Sequence, residues 1–135
     1  MQIPLFKPQT EWLPPESFPD LSKYDEIAID LETKDPDLMK MGSGSVVGKG
    51  DVVGIAIAVE GWSGYYPIAH EGGGNMSRAK VLKWFQGVLN TPADKIFHNA
   101  MYDVCWIRAL SLNINGRIID TMIASALVDE NQMRY

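Results

Sequence analysis

The stretch IAIDLET, residues 27–33, decides how the rest of the chain is interpreted. Its apolar, β-branched first half predicts a strand, and its second half carries two carboxylates separated by one residue. Side chains alternate between the two faces of a strand, so Asp30 and Glu32 share one face while their apolar neighbours share the other. Two carboxylates at a strand end suit a hard divalent cation such as Mg²⁺. The alternative for so short a pattern is a solvated turn.

The composition predicts one globular domain of intracellular type. The chain has 135 residues, of which 46% are hydrophobic and 21% charged, which is enough for a real core. Its net charge of −5 argues against a protein that coats nucleic acid, but not against an enzyme that meets a nucleic-acid end through bound cations. The lone Cys105 excludes an internal disulfide, and without a membrane-length apolar run we expect no membrane partner.

Hydrophobic periodicity and turn residues predict the other elements. Five prolines make residues 1–24 an extended arm, which Trp12, Leu13 and Phe18 are expected to pin onto the body. Strands are predicted at residues 25–32, 52–59, 65–68, 95–98 and 117–120, and helices at residues 78–89, 100–110 and 121–128. The Gly- and Ser-rich segment 34–51 is predicted to be a loop.

The order of these elements predicts an α/β fold over residues 25–135. Short links between the first three strands imply an antiparallel meander, and helical crossovers place the last two strands parallel. The expected result is a mixed five-stranded sheet with helices on its faces. The near-continuous apolar run at 52–59 indicates a strand buried on both faces, and Pro67 places the third strand at an edge.

A second acidic motif, HNAMYD at residues 98–103, lies where the fourth strand passes into a helix. Asn99 and Asp103 are four residues apart and share one face of that turn. If the fourth strand lies beside the first, Asp103 projects over the sheet end that carries Asp30 and Glu32. Alternatively, Asn99 is an ordinary helix cap and Asp103 an acid favoured by the helix dipole.

Together the two motifs resemble those of the 3′–5′ exonucleases with the ribonuclease H-like fold. DLET at residues 30–33 resembles their first motif, and NAMYD at residues 99–103 resembles the second in the form N-x-x-Y-D. With the strand order and DTM at residues 120–122, they are similar to the proofreading domain of family A, polymerase I-like, DNA polymerases. The Pro-rich lead-in is similar to bacteriophage versions, which implies the cytoplasm of a bacterium or of a phage-infected cell.

The resemblance also implies a mechanism and its residues. Asp30, Glu32 and Asp103 would be the catalytic metal ligands for two divalent ions, Mg²⁺ or Mn²⁺. Asp30 would touch both ions, and Asp103 would hold one of them mainly through water. The substrate would be the 3′ end of single-stranded DNA, and a C-terminal polymerase domain would be the partner in the natural chain. The residues expected near the substrate are the backbone of Leu31, and Thr33, Asn99 and Tyr102, although a core role for Tyr102 is equally compatible with the sequence.

This sequence departs from the family at one point. The Y-x-x-x-D motif that supplies a fourth carboxylate does not occur. Asp120, Asp129 and Glu130 are candidate substitutes, but Asp120 fits better as the cap of the third helix. We therefore expect an incomplete domain with weak or no activity alone. His98 also fits the H-x-A-x-x-D motif of relatives that use histidine as a base, but its place after one crossover favours a structural strand-end residue.

Two other functions remain open at this point. An RNA-trimming 3′–5′ exonuclease of the RNase D type shares both motifs, and relative rates on single-stranded DNA and RNA would separate it from a proofreading domain. A non-catalytic nucleic-acid-binding module with a degenerate site is the other alternative. It predicts that replacing Asp30 leaves function unchanged.

Overall fold

The computed structural model describes residues 13–128, which form a mixed five-stranded sheet with helices. The strands are Glu26–Lys34 (β1), Asp51–Val59 (β2), Trp62–Pro67 (β3), Asp94–Phe97 (β4) and Ile118–Asp120 (β5). The helices are Leu38–Met41 (α1), Gly44–Val47 (α2), Arg78–Asn90 (α3), Ala100–Ala109 (α4) and Thr121–Val128 (α5). The strands lie in the order β3-β2-β1-β4-β5, so β1 is the central strand.

The strand directions follow from the lengths of the connections. β1, β2 and β3 are antiparallel neighbours, whereas β4 pairs parallel with β1 and β5 parallel with β4. Two residues suffice to join β2 to β3, and the crossover helices α3 and α4 return the chain for parallel pairing. The predicted α/β sheet is confirmed, and Pro67 lies on the edge strand as expected.

The core lies between one face of this sheet and the helices α3 and α4. On β1 the buried residues alternate with exposed ones, so that apolar side chains point into the core while Asp30 and Glu32 point away from it. On α3 the apolar residues recur at helical spacing, and burying one such as Phe85 contributes roughly 1.5–3 kcal/mol. Ser77 caps this helix by accepting a hydrogen bond from the Lys80 backbone at 3.4 Å.

β2 was expected to be buried on both faces, but the face that points away from the core is only half-buried. Within residues 13–128, Ala56 and Ala58 on that face are only half-buried. They border a cavity of about 540 Å³ that also includes Asp30 and His98. The apolar run of β2 therefore reflects small side chains on the face that carries the acids.

The segment between β1 and β2 was expected to be a loop but contains two single-turn helices, α1 and α2. Gly48 is the C-cap of α2, and its φ of 76° is a left-handed conformation that glycine adopts without strain. Both carboxylate oxygens of Asp35 accept the backbone N–H of Gly44 at 3.0 Å. Helices this short leave no periodicity in the sequence, so the prediction was wrong here.

The N-terminal arm is held by fewer side chains than expected. Phe18 stacks on Tyr66 with 5.6 Å between ring centroids, and Trp84 donates a hydrogen bond to the Pro19 carbonyl at 2.9 Å. Leu13 is 78% exposed and does not anchor the arm, and Trp12 lies outside the described residues. In the described part of the chain, no helix has the length and apolar character needed to cross a membrane.

Candidate metal centre

Parallel pairing of β1 and β4 brings the two acidic motifs together. The parallel pairing runs from Glu26 with Asp94 to Ala28 with Ile96, so β4 ends and α4 begins beside the middle of β1, where Asp30 lies. Asp103, in the first turn of α4, is 4% exposed. Its carboxylate is close enough to Asp30 for the charge of Asp30 to affect its protonation.

The environment of Asp103 disfavours its negative charge. Burial and then the nearby charge of Asp30 raise its pKa to about 7, while a hydrogen bond from the Leu31 backbone acts in the opposite direction. One carboxylate oxygen, Oδ2, is buried and has no hydrogen-bond partner. A buried carboxylate that has one unsatisfied oxygen and lies beside a second carboxylate is costly unless a cation balances the charge. The pair therefore fits a divalent metal ion.

Glu32 lies on the same face of β1 as Asp30 but is held by other groups. Its Oε2 accepts a hydrogen bond from the Tyr65 hydroxyl at 3.1 Å, and the Nε2 of His70 is 3.9 Å away. Within residues 13–128, no three Asp, Glu, His or Cys side chains are clustered so as to hold one metal ion together. The structure thus brings Asp30 and Asp103 together and turns Glu32 toward Tyr65.

Sequence reasoning missed Tyr65 and His70. Residues 65–68 were predicted to be a strand, residue 70 lies outside the predicted strands and helices, and neither side chain was assigned to the site. One signal was present, because alternation along β3 puts Tyr65 on the face opposite the buried Tyr66. That is the face to which Asp30 and Glu32 point.

Two of the predicted substrate residues, Thr33 on β1 and Tyr102 on α4, are joined by a hydrogen bond between their side chains. The Leu31 side chain is buried, which leaves only its backbone for contacts outside the core. The hydroxyls of Thr33 and Tyr102 are 2.8 Å apart, and the Tyr102 hydroxyl donates to Asp35 at 2.8 Å. The ring of Tyr102 also packs against the core. These contacts give Tyr102 a structural role and leave substrate binding as a prediction.

The side chain of Asp120, rather than that of Asn99, caps the start of α4, which the sequence did not predict. Asn99 is exposed, has a left-handed backbone with φ of 65°, and makes no side-chain cap. Instead, Asp120 accepts hydrogen bonds from the backbone N–H groups of Asn99 at 3.1 Å and Ala100 at 2.9 Å. It also accepts from the backbone of Met122 at 2.9 Å, as expected of a cap on α5.

These bonds define the role of Asp120. Burial acts to raise its pKa, but the backbone N–H groups of Ala100, Met122 and Asn99 outweigh burial and lower it. The carboxylate is therefore a charged cap for two helices. The other two candidate substitutes, Asp129 and Glu130, lie outside the described residues.

His98 directly follows the last residue of β4, in agreement with the predicted position at a strand end. Its Nδ1 lies 3.0 Å from the hydroxyl of Thr121, which in turn donates to the Phe97 carbonyl at 3.2 Å. His98 thereby links the end of β4 to the start of α5. A structural role for it stays a prediction.

Comparison with known proteins gives a consistent result. Residues 7–134 match the model of a family described as 3′–5′ exonuclease, the exonuclease domain of family A DNA polymerases. A DNA-directed DNA polymerase of Pseudomonas phage M6 is 36% identical over 110 residues, which are 77% of this chain. The DNA polymerase DpoZ of Salmonella phage PMBT28 is 28% identical over 120 residues, or 87% of this chain. The match spans 17% of the length of each relative.

Solved structures give the same fold. Brucella melitensis NrnC matches with a TM-score of 0.55 and 21% identity, over 85% of this chain and 50% of that one. NrnC with bound Mg²⁺ matches with a TM-score of 0.53 and 20% identity over the same shares. At these identities the likeness concerns the fold alone, which is the expected ribonuclease H-like arrangement.

Proposed function

Because this chain belongs to the 3′–5′ exonuclease family of polymerase I-like DNA polymerases, we propose that it removes nucleotides from the 3′ end of single-stranded DNA. The relatives are named DNA polymerases, and the match spans only 17% of their length. We therefore propose a polymerase domain as the partner of this exonuclease domain. Removal of mispaired ends during synthesis is the corresponding biological role.

One observation carries this proposal: the buried Asp103 carboxylate beside Asp30, with an oxygen that no hydrogen bond satisfies. A structural ion-pair network would supply a Lys or Arg to these acids. The salt bridges among the described residues lie at other acids, apart from the contact of His70 with Glu32. Two facing carboxylates without a cationic side chain are instead the arrangement that binds a divalent cation.

Asp30, Glu32 and Asp103 are the residues that would hold two ions, Mg²⁺ or Mn²⁺. In this proposal Asp30 would help to hold both ions, Glu32 would help to hold one of them, and Asp103 would hold the other through water. Ions held there would supply a water of lowered pKa and would balance the charge that develops on the scissile phosphate. The protein side of the reaction is then positioning and charge complementarity.

The residues around the acids have matching roles in this proposal. The exposed side chain of Asn99 is available to hydrogen-bond the scissile strand, beside the helix that carries Asp103. Leu31, through its backbone, and Thr33 are neighbours of the acids along β1 and would contact the terminal nucleotide. Tyr102 would keep Thr33 in place through its hydroxyl, and the accessible part of its half-buried ring would stack on a base.

The decisive experiment replaces Asp30 by Asn in the full-length gene product. We expect Mn²⁺-dependent digestion of a 5′-labelled single-stranded DNA to fall by about 10²–10³-fold, as for other groups that stabilise a transition-state charge. Melting without metal should change little. Asp94→Asn is the matched control, because Asp94 lies at the other end of β4 and is ion-paired with Arg117 at 2.7 Å. Undiminished digestion by the Asp30 variant would refute the proposed function.

The same assay separates the DNA and RNA alternatives. Rates on single-stranded DNA and on RNA of the same sequence, measured under identical conditions, should favour DNA. A faster rate on RNA would instead support an RNA-trimming enzyme with the same metal site.

A further inference from the structure

We propose that Tyr65 and His70 are positioning residues that hold the Glu32 carboxylate in the orientation in which it receives a metal ion. The inference rests on the proposed function, because it concerns the same acid. Glu32 is exposed, with 61% of its side chain accessible. An exposed glutamate samples many rotamers unless neighbouring groups fix it. The contacts of Tyr65 supply that restraint.

Tyr65 reaches Glu32 across an intervening strand. Tyr65 lies on the edge strand β3 and Glu32 on the central strand β1, with β2 between them. Neighbouring strands are about 4.8 Å apart, so this reach covers about 10 Å. The residue of β2 that pairs with Glu32 is Gly54. A Cβ at Gly54 would lie 1.8 Å from the Tyr65 hydroxyl oxygen, so the missing side chain opens the path.

The bulge at this point aligns the next segment. Glu32 pairs with Gly54 but the following residue pairs with Val52, which leaves Val53 as an extra residue in β2. The Val53 carbonyl accepts hydrogen bonds from the backbone of Ile68 at 2.9 Å and of Ala69 at 3.1 Å. The chain that leads to His70 is therefore anchored beside the acid.

His70 contacts both the hydroxyl and the ring of Tyr65. Its Nε2 is hydrogen-bonded to the Tyr65 hydroxyl, and the two rings meet edge to face with 5.8 Å between centroids. The backbone of His70 is itself fixed, because its N–H donates to the Asn75 side chain at 2.8 Å and its carbonyl accepts from that side chain at 2.8 Å. Lys34 and Glu71 form an ion pair that ties the same loop to β1.

This arrangement leaves Glu32 able to bind a cation. The Tyr65 hydroxyl donates its proton in a hydrogen bond to Glu32 at 3.1 Å. The donated bond occupies Oε2 and leaves Oε1 for a metal ion. Groups that orient metal ligands in this way typically change metal affinity by 10- to 100-fold when removed.

The test replaces Tyr65 by Phe in the full-length gene product. Mn²⁺ binding is measured by calorimetry, and the binding that Asp30→Asn abolishes is assigned to this site. We expect Tyr65→Phe to weaken that binding by about tenfold and to raise the Mn²⁺ concentration for half-maximal digestion by a similar factor. Digestion at saturating Mn²⁺ should recover. Tyr66→Phe is the matched control, since its hydroxyl donates to the Ser17 carbonyl on the other face.

A second variant tests the space at Gly54 through which Tyr65 reaches Glu32, rather than the Tyr65 hydroxyl itself. Gly54→Ala should displace the Tyr65 hydroxyl and weaken Mn²⁺ binding to the same extent, with no further loss when it is combined with Tyr65→Phe. Mn²⁺ affinity of Tyr65→Phe equal to that of the unmodified protein would overturn the inference. If Asp30→Asn abolishes digestion in the same series, the proposed function stands and only the positioning role fails. Undiminished digestion by Asp30→Asn would refute both the proposed function and the positioning role.

Discussion

Asp103 and Glu32 belong to one proposed metal site, yet the protein holds these two acids in opposite ways. Asp103 is buried, and one of its oxygens has no hydrogen-bond partner. Glu32 is exposed, and a tyrosine backed by a histidine fixes it. Burial keeps the first acid in place at a cost in stability, whereas hydrogen bonds keep the second in place at little cost. The environment, more than the residue type, therefore decides what each acid contributes when no metal is bound.

The largest effect expected from this comparison is a pH dependence that originates at Asp103. Its folded-state pKa is raised from 3.8 to about 7, so the folded protein binds more protons than the unfolded one between these values. Stability in EDTA should therefore fall as pH rises from about 4 to about 7, by about 4 kcal/mol, and should then level off. Urea unfolding of this chain at a series of pH values measures the slope. A flat profile would contradict the assigned burial of the acid.

The next effect is a gain in stability when the charge of Asp103 is removed. Asp103→Asn should raise the free energy of unfolding in EDTA at pH 8 by about 2–3 kcal/mol and abolish most of the pH slope. The same variant should lose nearly all digestion of single-stranded DNA. Asp30→Asn, which removes only the repelling neighbour, should give a smaller gain. A loss of stability in Asp103→Asn would show that the buried carboxylate is satisfied in a way the structure does not contain.

A smaller effect should follow from loosening the helix that carries Asp103. Asp120→Ala removes the acceptor for the backbone N–H groups of Asn99 and Ala100 and should cost about 1–2 kcal/mol. Digestion should fall with it, because the start of α4 sets the position of Asp103. Asp120→Asn retains one acceptor oxygen and should lose less. Equal stability of the Ala variant and the unmodified chain would contradict this role.

The smallest effect is expected at the other acid. Glu32→Gln should change the free energy of unfolding in EDTA by less than about 0.5 kcal/mol, because the side chain is 61% exposed and gives up one hydrogen bond at most. Mn²⁺ binding should nevertheless weaken. A stability change as large as that of Asp103→Asn would erase the contrast between the two acids.

Much of this molecule could be predicted from local patterns. The alternation of apolar and acidic side chains along residues 27–33 predicted that Asp30 and Glu32 share one face of β1. The helical spacing of apolar residues from Val81 to Leu89 predicted the crossover helix α3. The strand order then followed from connection lengths. These features depend on neighbours in sequence, which is why the sequence contains them.

The features that escaped prediction depend on register and on distant partners. Tyr65 reaches Glu32 because Gly54 faces that acid across the sheet, and no local pattern reveals which residues pair. Asp120 was predicted to cap α5. It also accepts hydrogen bonds from the backbone N–H groups of Ala100 and Asn99, which lie 20 and 21 positions earlier in the chain. The single-turn helices α1 and α2 are too short to leave a period.

The hold of Asp120 on the start of α4 has a consequence for synthesis of the protein. A growing polypeptide that has emerged from the ribosome only as far as residue 110 already contains every acid of the proposed site. It lacks the anchor for the helix that carries one of them, since that anchor is 20 residues further on than Ala100. The acids of the proposed site can therefore be fixed in place only after β5 has been synthesised. Ribosome-bound chains that are stalled before residue 120 should bind Mn²⁺ more weakly than chains stalled after it.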